Sequence, residues 1–215
     1  MKTGIWMSGI AILALTACVP REMQQPSWDG LQYVERRGLD TLYLRPGTSL
    51  KQYRKVMLDP VEVSFHKDWD PRRQGATRLE SADPQAIRKG LAQLAHDVVE
   101  KELAAGGYPL VAEPGPDVLR VRAEIVDLYI NAPETDSAVP TRTYVLDAGE
   151  MTLIAHLYDS ETNALLARAV DRARGQNLGQ FQIANRVTNT AEARRVLTTW
   201  ARMLRDALDR AKADE

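Results

Sequence analysis

A chain of 215 residues, with 28 lysines and arginines against 29 aspartates and glutamates, is long enough for one domain with a real core and too evenly charged to grip a polyanion. Nucleic acid is therefore excluded as a main partner, and an apolar content of 44% excludes wholesale disorder.

The first residues are a different material from the rest. Lys2 supplies a positive start, and Ile5 to Leu15 is apolar or small throughout. As a helix this run spans roughly 16 Å, about half of a ~30 Å hydrocarbon core. It is too short for a transmembrane anchor and reads as a cleaved signal peptide over residues 1–17. Leu15-Thr16-Ala17-Cys18 resembles the bacterial lipobox, which directs cleavage before a cysteine that is then acylated. The resemblance implies an S-diacylglycerol and an N-palmitoyl group on Cys18, the only cysteine in the chain. One acyl chain holds a protein marginally and two hold it stably, so three make a permanent anchor. Lipidation also consumes a thiol that would otherwise be an oxidation liability in an exported protein. Val19, not aspartate, follows the cysteine. That resembles release to the outer membrane rather than retention at the inner one, with the domain facing the periplasm. Residues 18–30, rich in Pro, Gln and Gly without periodicity, read as the tether.

Residues 31–215 read as a single domain. A strand is expected over 55–65, with Val56 and Leu58 on one phase and Val61, Val63 and Phe65 on the other. Pro60 lacks an amide hydrogen, so an edge position or a bulge belongs at Asp59-Pro60. His66 to Gly75 reads as a loop. Asp83 as N-cap and Pro84 at the first turn open a helix. Its stripe is Ile87, Leu91, Leu94, Ala95, Val98, Val99 and Leu103, and Gly106-Gly107 end it. "YPLVAEPGPD" reads as a short strand and a turn. In residues 118–130 the apolar phase switches after Ile125, which predicts a bulge or a fully covered end. Residues 150–158 alternate with Met151, Leu153, Ala155 and Leu157 inward, and a turn at 160–163 leads to a partner strand over 164–172. Asn189 with Glu192 resembles a capping box. The closing helix carries Val196, Leu197, Trp200, Ala201, Leu204, Leu208 and Ala211 on one stripe. The sum is an α+β two-layer sandwich: a mostly antiparallel sheet of about five strands with two amphipathic helices on one face.

Four stretches, "YLRPGTSLKQYRKVMLDPVEV", "YPLVAEPGPDVLRVRAEIVDL", "AVDRARG" and "WARMLRDAL", together resemble a family of bacterial lipoproteins that carries only a domain-of-unknown-function label, DUF3313. The matching motifs lie at Tyr53 to Val61, Gly115 to Arg120 and Asp171 to Gly175. The resemblance covers nearly all of the mature chain and departs from the family pattern in "GLQYVERRGLDTLYLRPG". It implies a fold and a compartment but no reaction.

Nothing in the sequence spells out catalysis. His66, His96 and His156 form no metal-ligand pair, and no nucleophile elbow or phosphate-binding loop is present. His96 and His156 read as surface residues. His66, Asp68 and Asp70 are a sparse set of cation ligands, better read as a solvated loop. Trp69 within that loop either anchors a partner or folds back over the core edge. Asp59 and the Asp171-Arg172 pair read as structural ion pairs or turn hydrogen bonds. No catalytic residue, cofactor or metal is expected. The leading expectation is a non-enzymatic interaction or assembly module of the envelope, held to the membrane by its lipid and working with an envelope protein partner. A carrier of a lipid or small apolar ligand is the alternative. It needs a cavity between helices and sheet, which the Leu and Val of the first stripe weigh against. A hydrolase built on a convergence of His66, Asp68 and Asp171 ranks last.

Overall fold

Asp83 and Pro84 begin the first helix at the position the sequence marks. The computed structural model describes residues 29–69, 83–130, 144–145, 149–174, 182–183 and 186–213. Helix α1 runs Pro84–Ala105, and the Asp83 carboxylate accepts from the Gln85 amide at 2.9 Å, occupying a donor the helix cannot satisfy itself. At its other end Gly107 takes φ 78°, the Gly107 amide donates to Ala104 and the Tyr108 amide reaches back to Leu103 at 2.9 Å. That pairing is a Schellman turn, and it drives Tyr108 and Leu103 into one apolar cluster.

The strands are β1 (Gln32–Tyr33), β2 (Thr41–Leu44), β3 (Lys55–Leu58), β4 (Glu62–Phe65), β5 (Val118–Tyr129), β6 (Tyr144–Val145), β7 (Glu150–Asp159), β8 (Leu165–Arg174) and β9 (Gln182–Ile183), and helix α2 runs Arg186–Ala213. Seven of them form one sheet in the order β1-β2-β8-β7-β5-β3, with β4 also on β5, while β6 and β9 pair separately. Both helices pack on one face of the large sheet. The expected strand over 55–65 is two strands. Its break falls at Asp59-Pro60, and the two pieces cover successive lengths of β5.

Four expectations are refined or corrected. The sheet has seven strands, not about five, because β1 and β2 add a ribbon from a stretch without clear alternation. Its pairings are mostly antiparallel, as expected, but the sheet is mixed: β3 and β4 run parallel to β5, since α1 carries the chain back across the sheet before β5 begins. The segment after α1 contributes only an isolated bridge, Leu110 to Val56. The predicted cap at Asn189 also falls inside a helix that has already begun at Arg186.

The phase switch in β5 is a bulge. Asp127 takes φ 52° and the register slips between Val126 and Tyr129, so that Ile125 and Leu128 both face the helices. Opposite it, Gly149 lies so close to the Tyr129 carbonyl that any side chain there would collide. The β7–β8 hairpin is closed by Asp159, whose carboxylate accepts from the amide and the hydroxyl of Thr162, both at 2.8 Å. The buried Ser160 hydroxyl then exchanges hydrogen bonds with the Gly115 amide and carbonyl, tying this hairpin to the turn before β5.

Candidate functional site

The pairing registers place inward side chains in rows across the sheet. One row reads Leu44, Ala167, Leu157, Val121 and Leu58; the next reads Leu42, Ala169, Ala155 and Ala123. Three adjacent strands thus put alanine at one level. Around that level the layers are held apart by larger residues. Tyr53, Leu119 and Leu208 fill one end, and Leu91, Met151 and Trp200 fill the other. A methyl group cannot bridge a gap that leucine and tyrosine have set, so the space above the alanine row stays open.

The result is a cavity of about 690 Å³ between sheet and helices. Protein interiors are close-packed, with few voids larger than a water molecule, whereas binding pockets span about 300–1,000 Å³. Its floor is Ala123, Leu153, Ala155, Leu157 and Ala169, and its roof includes Leu197, Trp200, Ala201 and Leu204. The floor residues are only half-buried although they sit at the centre of a sheet beneath helices. Three segments frame the opening: the β1–β2 connection with Arg36 and Arg37, the β2–β3 connection with Thr48 and Lys51, and α2 with Asp206 and Arg210. The four cations are exposed at this rim.

The roof is fixed by Asp171. Its carboxylate accepts the Trp200 indole N–H at 2.6 Å and the Asp40 amide at 3.2 Å, while Asp40 in turn accepts from the Arg172 amide at 2.9 Å. The structural reading of Asp171 stands, with an indole as the main partner. Asp59 is likewise structural. It accepts from Arg120 at 2.9–3.1 Å through both oxygens, a bidentate ion pair rather than a set of turn hydrogen bonds.

The remaining candidates are dispersed. Trp69 folds back: its ring stacks on Phe65 with centroids 4.0 Å apart and its N–H donates to the Ile130 carbonyl at 3.3 Å. His66 Nδ1 accepts from the Asp68 amide at 3.2 Å within its own loop. Asp70 lies outside the described residues, as do Cys18 and the segment before Asp29. Asp171 sits two strands away from β5, beneath Trp200, and the structure does not gather it with His66 and Asp68. Among the described residues no three His, Cys, Asp or Glu side chains are grouped to hold a metal ion.

His156 corrects the surface reading. It lies on the sheet face away from the helices, where the Arg168 Nε–H donates to its Nε2 at 2.8 Å, and its Nδ1 is enclosed. Burial first, and the Arg168 charge second, hold its pKa below the ordinary value, which favours the neutral ring. His96 is 44% exposed through its side chain, in keeping with a surface position.

Sequence reasoning missed the hollow itself. Its signal is the alanine at the centre of each of three alternating strands, which becomes a row only once the register is known.

The family model described as "Protein of unknown function (DUF3313)" matches residues 25–204, and the chain belongs to that family. None of the curated proteins matches it. Among solved structures, the PelC dodecamer from Paraburkholderia phytofirmans is 13% identical at a TM-score of 0.36, over 74% of this chain and 95% of that one. A candidate lipoprotein from Caulobacter crescentus is 10% identical at a TM-score of 0.37, over 77% and 94%. A DUF4136 family protein from Bacteroides thetaiotaomicron is 8% identical at a TM-score of 0.36, over 82% and 97%. Likeness at this level carries no statement about ligand or partner.

Proposed function

We propose that this protein is a lipid-anchored component of the bacterial envelope whose domain takes an apolar or amphipathic molecule into the hollow between its layers. In this reading Cys18 carries the lipid, the anchor lies in the outer membrane, and the domain works in the periplasm. The observation that carries the ligand is the cavity of about 690 Å³ over the alanine row. Its floor and roof are methyl and alkyl groups with one indole, a lining that gives burial and orientation rather than a reacting group, so the module is read as non-enzymatic. A tethered carrier exchanges its ligand with a second component, and the envelope partner expected from the sequence fills that role. Among the described residues no helix is long and apolar enough to cross a membrane, and the proposed attachment needs none.

Native mass spectrometry of the chain released from its membranes tests this reading. The expected spectrum shows the mature chain beginning at Cys18 with its covalent lipids, plus a non-covalent adduct of amphiphile mass. Ala155→Trp, which fills the hollow, should lose the adduct while keeping the lipid. A parent chain without any adduct overturns the carrier; a chain beginning at Met1 with a bare thiol overturns the address.

A further inference from the structure

The rim of the hollow is asymmetric in charge. Four cations, Arg36, Arg37, Lys51 and Arg210, line it with one carboxylate, Asp206, which is itself held at 3.7 Å by Arg205. Most described arginine side chains meet a carboxylate, a carbonyl or a ring: Arg45, Arg54, Arg88, Arg120, Arg122, Arg168, Arg172, Arg174, Arg195, Arg202 and Arg205 all do. Among the described residues Arg36, Arg37, Arg194 and Arg210 have no such partner, and three of these four line this one opening. A guanidinium is shaped for bidentate recognition of a carboxylate or phosphate. Thr48 lines the same opening, and its hydroxyl is closed off from solvent without a hydrogen-bond partner. A buried hydroxyl is ordinarily satisfied, so a small shift of this rim residue would give a polar ligand atom a partner there.

We propose that the hollow takes an acyl chain bearing an anionic head, with the chain over Ala123, Ala155 and Ala169 and the head held by Arg36, Arg37 and Arg210 beside Thr48. This rests on the reading of the hollow as a ligand site and adds the sign of the ligand. A neutral lipid would leave the guanidinium cluster unused, and a cationic amphiphile would be repelled by it.

The test uses the full mature chain carrying Cys18→Ser and the fluorescent fatty acid 11-(dansylamino)undecanoate. The competitors are dodecanoate, dodecyl phosphate, dodecanol and dodecyltrimethylammonium. Dodecanoate or dodecyl phosphate is expected to displace the probe at a concentration roughly tenfold below that needed for dodecanol, the effect of one charge-assisted hydrogen bond. Whichever anion is stronger names the head group. Arg36→Ala/Arg37→Ala/Arg210→Ala should bring the anions level with dodecanol and leave dodecanol unchanged, whereas Arg194→Ala should alter nothing. If dodecanol equals the anions in the parent chain, or the cation wins, or Arg194→Ala acts like the triple variant, the anionic head is refuted and the ligand site stands. A probe that fails to bind the parent chain refutes both. A lipidated chain that refuses the probe while Cys18→Ser accepts it identifies the protein's own anchor as the occupant and overturns the proposal.

Discussion

Between one sheet and one pair of helices, the molecule builds two unlike interiors. At the end bounded by β3 and the Schellman turn, Tyr53, Leu103, Tyr108, Leu119 and Leu208 are all at most 2% exposed. Their polar tips are spent on neighbours: Tyr53 donates to Asp159 at 2.9 Å and Tyr108 to Asp209 at 2.8 Å. A few residues away along the same strands, Ala123, Ala155 and Ala169 leave the floor bare. The contrast lies in side-chain volume, since backbone pairing runs unbroken beneath both from Leu119 to Val126. A sheet can therefore carry a filled core and a receptacle on one face with no change of topology. The packed end supplies the stability that lets the other stay open.

The sharpest way to break this comparison is to hollow the full end. Leu119→Ala should lower the free energy of unfolding by about 2–5 kcal/mol in urea titrations. A loss below ~1 kcal/mol would mean the end is not tightly packed. Next in size is the pin between the layers: Trp200→Phe leaves Asp171 without its indole donor and should lower stability by about 1–3 kcal/mol. Filling the empty end should act in the other direction. Ala155→Leu is expected to raise stability by about 0.5–2 kcal/mol while abolishing binding of the dansyl probe. A loss of stability instead would mean the hollow is closed in solution and the leucine overpacks it.

The last effect is a matter of pH. Burial first, and then the Asp159 and Asp209 carboxylates that accept their protons, push Tyr53 and Tyr108 up from an ordinary 10.0 to about 12. Below pH 10 both are protonated whether the chain is folded or not. Between about 10 and 12 the unfolded chain gives up these protons while the folded one keeps them, so stability falls as pH rises through that window. Absorbance at the phenolate band should show two tyrosines ionising late. Tyr53→Phe should remove one of them and flatten the alkaline decline.

Local chemistry made much of this fold readable in advance. Asp83-Pro84 and Gly106-Gly107 marked α1 because caps and breakers act within a few residues, and the Asp127 bulge was visible as a slip in the apolar phase. The direction of β3 and β4 was not readable, because it depends on pairing across some sixty residues, Lys55 with Val118 being the first contact. Asn189 misled because its capping-box spacing is equally available inside a helix. His156 lies on the polar phase, as alternation implies, yet the Arg168 side chain covers it. The hollow was least readable of all. Leucine and valine on α1 argued for a filled interlayer, and an alanine in a strand says nothing until its neighbours on adjoining strands are known.

Helix α2 is fastened on two flanks from its middle onward, by Trp200 to Asp171 on the sheet and by Arg202, Arg205 and Asp209 to Glu102 and Tyr108 on the α1 side. Mechanically it is a beam gripped on two flanks. In the proposed reading, cargo would slide in sideways beneath it, past the β1–β2 and β2–β3 connections that frame the opening.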